Sequence, residues 1–192
     1  MNGHAIFSKA IQEHDRTMKF VGETIAESVA RTGEVLAATL ANGGTILWCG
    51  NGGSAADSQH LAAEFSGRFR LDRRPLRAVA LTTDSSALTC IANDFGFADV
   101  FARQVEAVGR PGDALVVIST SGNSENIRRA LRTAREFGIV TVALLGKGGG
   151  PAAAEADHAV IVPADSTARI QEAHIFIGHV WCEMIEAALG FE

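Results

Sequence analysis

The chain has 192 residues, of which 47% are hydrophobic and 20% are charged, and its formal net charge is −5. This composition is typical of a packed globular domain and excludes a disordered chain, and the acidic balance argues against nucleic-acid binding. Three widely spaced cysteines without a CxxC pair, and apolar runs far shorter than the ~20 residues of a membrane helix, predict a cytoplasmic protein that does not associate with membranes.

The first 43 residues are expected to form helices. Residues 4–41 contain no proline, and their apolar residues recur at helical spacing up to Asn42-Gly43-Gly44, a sequence typical of a helix C-cap. This pattern predicts one or two helices. Because they precede the first strand and lie outside the alternation of strands and helices, we expect them to cover a neighbouring subunit.

From residue 45 onward, short apolar runs alternate with helical segments. The expected strands are 45–49, 77–82, 114–119, 139–145 and 158–162. The expected helices are 54–66, 85–108 with a break near Asn93-Asp94, 124–137, 151–156 and 167–189. Continuous apolar strands that alternate with helices predict an α/β fold, a doubly wound sandwich with a five-stranded parallel sheet. No linker divides the chain, so residues 1–192 are expected to form one domain.

Two of these strands run into loops that suit a phosphate group. GNGGS (50–54) follows the first strand and STSGNS (119–124) follows the third. Glycines leave backbone N–H groups free to face an anion, and the N-terminus of a following helix adds a partial positive charge. We therefore predict a small phosphorylated ligand held by two loops that are neighbours in space. Ser54 and Ser124 are also expected to cap the helices, Ser54 in a capping box with Asp57.

Other phosphate-binding motifs are not supported. GNGGSA (50–55) fits the GxGxxA dinucleotide fingerprint, but that fingerprint also needs an acidic residue about 20 positions further on, at the end of the second strand, and the nearest candidate there is Asp84, roughly thirty positions on. The P-loop pattern GxxxxGK[ST] is absent, because Gly146-Lys147 is followed by glycines. These two observations argue against a nicotinamide cofactor and against a nucleoside triphosphatase.

Polar residues on two of the expected helices could carry chemistry. His60 and Glu64 share one helix face, either as a metal-binding pair or as an exposed polar pair. On the last helix, Gln171 and His179 differ by roughly 80° and can share a face, whereas His174 and His179 differ by roughly 140° and cannot. His174 is therefore expected to be structural. An arginine run is either a solvated loop or faces an anionic substrate in part: Arg68, Arg70, Arg73, Arg74 and Arg77.

Four segments of the sequence resemble the phosphoheptose isomerases, a family of the sugar isomerase (SIS) domain superfamily. They are CGNGGSAADSQHLAAEFSGRF (49–69), IANDFGFADVFARQVEAVGRPGD (91–113), STSGNS (119–124) and TARIQEAHIFIGH (167–179). The resemblance implies an aldose–ketose isomerase that converts D-sedoheptulose 7-phosphate to D-glycero-D-manno-heptose 7-phosphate. That reaction is the first step toward the activated heptoses of lipopolysaccharide-type glycoconjugates.

The resemblance also implies roles for particular residues and a homotetrameric assembly. It assigns the phosphate to Ser119, Thr120, Ser121 and Ser124. It assigns the sugar to Asn51, Gly52, Gly53, Glu64, Asn93, Asp94 and Gln171. It assigns one zinc ion per subunit to His60, Glu64, Gln171 and His179. We expect Glu64 to be the catalytic base and His179 its partner at the other carbon or oxygen.

Two questions stay open at this level. Eight helical residues separate Gln171 from His179, a rise of roughly 12 Å, so either both side chains stretch toward one ion or a neighbouring subunit completes the site. The main alternative function is a non-catalytic SIS-domain regulator of the DnaA-interacting type that binds a phosphosugar. Such proteins lack the carboxylate at the position of Glu64, so its presence favours the enzyme. An isomerase acting on a different sugar phosphate is the second alternative.

Overall fold

A computed structural model describes residues 2–191. The strands are β1 Ile46–Gly50, β2 Ala78–Ala80, β3 Ala114–Ser119, β4 Val140–Leu145 and β5 His158–Ile161. The α-helices are α1 Gly3–Thr24, α2 Ala26–Ala41, α3 Gly53–Ser66, α4 Ser85–Asp94, α5 Ala102–Val108, α6 Glu125–Glu136, α7 Ala152–Glu155 and α8 Thr167–Ala188. Among the residues described, no helix is both long enough and apolar enough to cross a bilayer.

The five strands form one parallel sheet in the order β2-β1-β3-β4-β5. This confirms the predicted doubly wound sandwich. The chain moves outward from β1 to β2 and then returns to place β3 on the other side of β1. The loops after β1 and β3 therefore diverge over adjacent strand ends, which is where open α/β sheets bind ligands.

Side chains that alternate along the strands divide the core into two layers. In β1, Ile46 and Trp48 pack in the layer with α1, α2, α3 and α8, whereas Leu47 and Cys49 pack in the layer with α5 and α6. Because helices cover both faces, every residue of β1 and β3 is buried. The continuous apolar runs in the sequence reflect this burial on two sides.

The structure departs from the sequence-based expectations at three local points. The region 85–108 forms α4, a short 3-10 turn at Phe97–Asp99 and α5, so the predicted break divides it into three pieces. Ser54 does not cap α3, since the N-cap is Gly52 with φ of 58°, a backbone conformation that glycine adopts at little cost. Ser124 does occupy the N-cap of α6, but its hydroxyl makes no capping hydrogen bond.

His174 is a structural residue, as the helical geometry predicts. Its side chain is fully buried, and its Nε2 lies 3.0 Å from the carbonyl oxygen of Leu145 at the end of β4. Burial lowers the pKa of His174 to about 4, and the hydrogen bond to Leu145 opposes this only in part. Its Nδ1 is buried without a partner among residues 2–191, so protonation would place an unsatisfied N–H in the core.

This histidine makes the stability of the fold depend on pH. Between pH 7 and pH 5 the unfolded chain protonates His174 near its ordinary pKa while the folded chain does not, so acidification favours unfolding. The drop in pKa from the ordinary 6.5 to about 4 lowers the free energy of unfolding by about 2 kcal/mol between pH 7 and pH 5. We expect urea unfolding at the two pH values to show a smaller decrease in this free energy for His174→Gln, because glutamine keeps a donor but does not titrate. An equal loss in both proteins would contradict this assignment.

Candidate functional site

The candidate site lies along the seam where α3 packs against α8. Gly53, at the start of α3, lies against Gln171, and Leu61 lies against Gly178 about two turns further along both helices. A Cβ atom on Gly178 would come within 2.5 Å of the Leu61 side chain, so only glycine permits this close approach. Since residue numbers increase in the same direction on both helices, α3 and α8 run parallel. We call this contact the α3–α8 seam.

The seam brings together three side chains that the sequence places on two separate helices. Nε2 of His60 lies 2.8 Å from Nε2 of His179 and 3.3 Å from Oε1 of Glu64. The ligand atoms of all three residues lie within 4.8 Å of one another. Phe69 stacks on the His179 ring with centroids 5.4 Å apart, which restricts the orientation of the imidazole. The predicted His60–Glu64 pair is thus joined by the predicted third member, and we call these three residues the His–Glu–His cluster.

The surroundings of the cluster lower the pKa of His179 and so favour its neutral form. Burial is the largest cause, repulsion from His60 and Arg70 acts in the same direction, and Glu64 opposes them. A neutral imidazole offers a lone pair to a metal ion or a proton. At 2.8 Å one of the two facing nitrogens must donate a hydrogen bond and the other accept it. A metal cation bound to the cluster would take the place of that shared proton.

The donor set matches a zinc site in kind and spacing. Two imidazole nitrogens and one carboxylate oxygen are a set that catalytic zinc uses when it keeps a fourth position open. With bonds of about 2.1 Å, tetrahedral zinc separates its ligand atoms by roughly 3.4 Å. The 3.3 Å between His60 and Glu64 is close to this value. The residues present thus fit the predicted metal, with one coordination position left for another ligand.

Gln171 lies against the N-terminal end of α3. Its amide is next to Gly53, the first residue of α3, and His60 lies seven residues further along that helix, a rise of about 10 Å. The predicted contact of Gln171 with the sugar agrees with this position, while its role as a zinc ligand stays a prediction.

The two predicted phosphate loops are neighbours, as expected. Asn51 and Asn126 exchange two side-chain hydrogen bonds of 3.0 and 2.9 Å across the gap between the loops. Asn126 is buried, and the sequence analysis did not select it. In the sequence, the one indication that Asn126 matters was its position close after the serine-rich loop. Its amide pair with Asn51 fixes the spacing between the two loops.

Within the serine-rich loop, two hydroxyl groups hold the backbone turn. Oγ of Ser119 accepts from the N–H of Gly122 at 3.1 Å, and Oγ of Ser121 accepts from the N–H of Asn123 at 3.3 Å. The hydroxyl of Ser124 makes no cap bond to α6. The loop therefore stands at the start of a 12-residue helix with at least one hydroxyl available to a ligand.

Other predicted residues lie outside these contacts. Asn93 and Asp94 end α4 on the opposite face of the sheet and are exposed, and the Asn93 amide donates to the Asp94 carboxylate at 2.7 Å. Within residues 2–191 neither side chain is hydrogen-bonded to the two loops. Asp57 was not selected as a site residue, although it lies one turn before His60 and burial raises its pKa. Its Oδ2 is buried without a partner in the described part of the chain.

The arginine run separates into different environments. Arg70 forms a surface ion pair of 2.6 Å with Glu183. The side chain of Arg73 is only 1% exposed and pairs with Glu186 at 2.9 Å. Neither of the two interpretations considered for this run therefore applies to Arg73, because it neither lies in solvent nor faces a ligand. Periodicity gave no sign of this burial, because the partner lies 113 residues away.

The cluster predicts a measurable metal affinity. We expect the protein to bind one Zn²⁺ per chain in equilibrium dialysis and His179→Ala or His60→Ala to weaken binding by more than about 100-fold, because each removes a direct ligand. His4→Ala alters an exposed histidine on α1 and should bind as the wild type does. Unchanged affinity in both cluster variants would show that zinc binds elsewhere.

Comparison with known proteins places this site in a family. The family model described as the SIS domain matches residues 11–146. A phosphoheptose isomerase of Geotalea daltonii is 50% identical over 179 residues, which cover 93% of each chain. Phosphoheptose isomerase 1 of Campylobacter jejuni is also 50% identical, over 94% of this chain and 97% of its own.

Solved structures agree with the sequence comparison. The phosphoheptose isomerase of Neisseria gonorrhoeae has a TM-score of 0.92 and 44% identity, and the match covers 97% of this chain and all of that one. High identity over nearly full length in both sequence and structure shows more than a shared fold. With its two loops, its α3–α8 seam and these relatives, the chain belongs to the phosphoheptose isomerases of the SIS-domain superfamily.

Proposed function

We propose that the α3–α8 seam and the two loops isomerise D-sedoheptulose 7-phosphate to D-glycero-D-manno-heptose 7-phosphate, the first step toward activated heptoses. The observation that carries this proposal is the His–Glu–His cluster, in which a carboxylate meets an imidazole of lowered pKa about 10 Å along α3 from the glycine loop. Isomerisation between an aldose and a ketose needs one group to move a carbon-bound proton and another to serve the oxygens.

The chain's own residues can move both protons. Glu64 takes the proton from C1 of the ketose, an enediol forms, and the same proton returned to C2 gives the aldose. His179 accepts the O1 hydroxyl proton and delivers one to O2 while its lone pair is free of metal, so no atom is gained or lost. Oε1 of Glu64 faces His60, which leaves its second oxygen for the substrate. The Glu64 side chain is 20% exposed, so it is accessible to a sugar.

We propose that His60, Glu64 and His179 hold one zinc ion per subunit, with Gln171 as the predicted fourth ligand. When bound, zinc would polarise the adjacent hydroxyl and carbonyl oxygens of the sugar. Support comes from the donor set and from the lowered pKa of His179, which favours the form that can bind a metal. The position of Gln171 against Gly53 supports a contact with the sugar at least as well as one with the metal.

We propose that the remaining predicted residues bind the substrate. Ser119, Thr120, Ser121 and Ser124 would hold the phosphate, and Asn51, Gly52, Gly53, Asn93 and Asp94 would line the sugar. The hydroxyl of Ser124, which makes no cap bond, supports the first role. The exposed backbone of Gly52 and Gly53 supports the second. A fixed phosphate site would hold the far end of the ligand while C1 and C2 lie at the cluster.

The regulator alternative is distinguished by Glu64. A protein that only binds a phosphosugar needs the loops but has no use for a carboxylate beside two histidines.

We further propose that the enzyme forms one domain and works in the cytoplasm. Its three cysteines, Cys49, Cys90 and Cys182, are free thiols, which is typical of a reducing compartment. Two of the three, Cys49 and Cys182, are buried.

The activity is tested by proton exchange. In D₂O the wild type should incorporate deuterium into sedoheptulose 7-phosphate and form the aldose, and Glu64→Gln should lower kcat by about 10²- to 10⁴-fold because it loses the base. Glu183→Gln alters an exposed carboxylate on α8 and should keep the wild-type rate. Absence of exchange in the wild type, with binding of the sugar phosphate retained, would favour the regulator.

We propose a homotetramer that forms through the N-terminal helices and α8. Large apolar side chains are exposed on these elements: Ile6, Phe7, Ile11, Phe20 and Phe176. A shallow groove between α1, α2 and α8 is almost wholly apolar and includes Val29, Phe176 and Met184. Burial of such a surface against a second copy would remove it from water.

Sedimentation should therefore give a mass near four times the 20.2 kDa of one chain. Phe176→Glu places a charge in the apolar groove and should shift the protein to smaller species. Phe137→Glu alters a comparably exposed phenylalanine that follows α6, and it should leave the mass unchanged. A monomeric wild type would rule out the assembly.

A further inference from the structure

A buried ion pair joins the two helices that carry the His–Glu–His cluster. Arg73 lies in the loop after α3, and its Nε donates to Oε1 of Glu186 on α8 at 2.9 Å. The two side chains are 1% and 4% exposed. Glu186 follows His179 by seven residues, so it lies on the same face of α8 two turns further on. The pair therefore closes the same seam that forms the cluster.

The other side of the Arg73 guanidinium holds the end of α3. Nη2 donates to the backbone carbonyl of Glu64 at 2.8 Å, and Nη1 donates to the carbonyl of Phe65 at 2.9 Å. Carbonyls in the last turn of a helix lack partners within the helix, and a cation there is favoured by the helix dipole. One side chain thus contacts the backbone of Glu64 itself and, through Glu186, the helix that carries His179.

Stability alone does not account for a buried charge pair at this place. Removing two charges from water is costly, and apolar side chains of similar size often stabilise a protein as well or better. The pair does something that apolar side chains cannot, because the planar guanidinium binds the end of one helix and a carboxylate on the other at fixed angles. An apolar contact would permit α3 to slide along or rotate against α8.

We infer that Arg73 and Glu186 are positioning residues that fix α3 against α8 so that the ligand atoms of His60, Glu64 and His179 stay together. The inference rests on the proposed function for its kinetic consequence, but its effect on metal affinity depends only on the cluster. Neither residue belongs to the two loops proposed to hold the substrate. Their loss should therefore weaken zinc binding and slow the reaction while phosphate binding at the serine-rich loop is retained.

The test compares matched double variants on the two faces of the sheet. Arg73→Met/Glu186→Leu removes both charges of the pair and leaves no unpaired charge behind. Arg128→Met/Glu155→Leu does the same to a partly buried pair of 2.6 Å between α6 and α7, away from the seam. Arg73→Lys keeps the positive charge but loses the planar fork. Each protein is measured for urea stability, for Zn²⁺ affinity in competition with a chromogenic chelator, and for kcat and KM.

We expect the first double variant and Arg73→Lys to lose at least tenfold in Zn²⁺ affinity and in kcat, with KM changed less than threefold. The α6–α7 double variant should retain the wild-type Zn²⁺ affinity, kcat and KM, even where its stability in urea changes. Wild-type zinc affinity in a folded Arg73→Met/Glu186→Leu protein would overturn the inference. So would an equal loss of zinc affinity in the α6–α7 variant. An inactive wild type would overturn the proposed function instead, and the zinc measurements would still decide the role of the pair.

Discussion

Close parallel packing of α3 against α8 positions the groups to which we assign the chemistry. The two helices follow different strands and are separated by 100 residues of sequence, yet Gly178 permits the Leu61 side chain to approach its backbone. This approach brings the imidazoles of His60 and His179 within hydrogen-bond distance. A wider helix spacing would leave an exposed His–Glu pair on one helix and an isolated histidine on the other, with no shared ligand position.

In the proposed function, the α3–α8 seam permits groups at one edge of the sheet to contact both ends of a ligand. At the beginning of the seam, Gly53 and Gln171 meet beside the glycine loop, and Asn51 ties that loop to the serine-rich loop through Asn126. About 10 Å further along α3 lies the cluster. In the proposed function, a phosphorylated sugar held by the loops would extend toward the cluster. The distance between the proposed phosphate site and the cluster follows from the length of α3 as well as from the residue types.

Some features of the site were predictable because they are local. The i, i+4 spacing of His60 and Glu64 was sufficient to place both on one face, and glycine with serine after a buried strand was sufficient to place a loop before a helix. The capping role predicted for Ser54 was wrong because Gly52 adopts a positive φ and starts the helix earlier. Arg73 was misread because the arginine-rich stretch looked uniform, whereas a single member of it reaches a buried carboxylate.

The sequence by itself determined which elements follow one another along the chain, the two loops and the His60–Glu64 pair, because these depend on periodicity and on neighbours within one or two turns. The order of the strands within the sheet was not readable residue by residue, but buried strands that alternate with helices permit few other arrangements. The contact between His60 and His179 followed from no local pattern, only from the family resemblance, and the tertiary structure alone decided why Asn126 matters and where Arg73 lies. Each of these contacts joins residues more than 70 positions apart, except those that Arg73 makes with the end of α3. Their geometry follows from how side-chain volumes fit between packed elements, which no local pattern records.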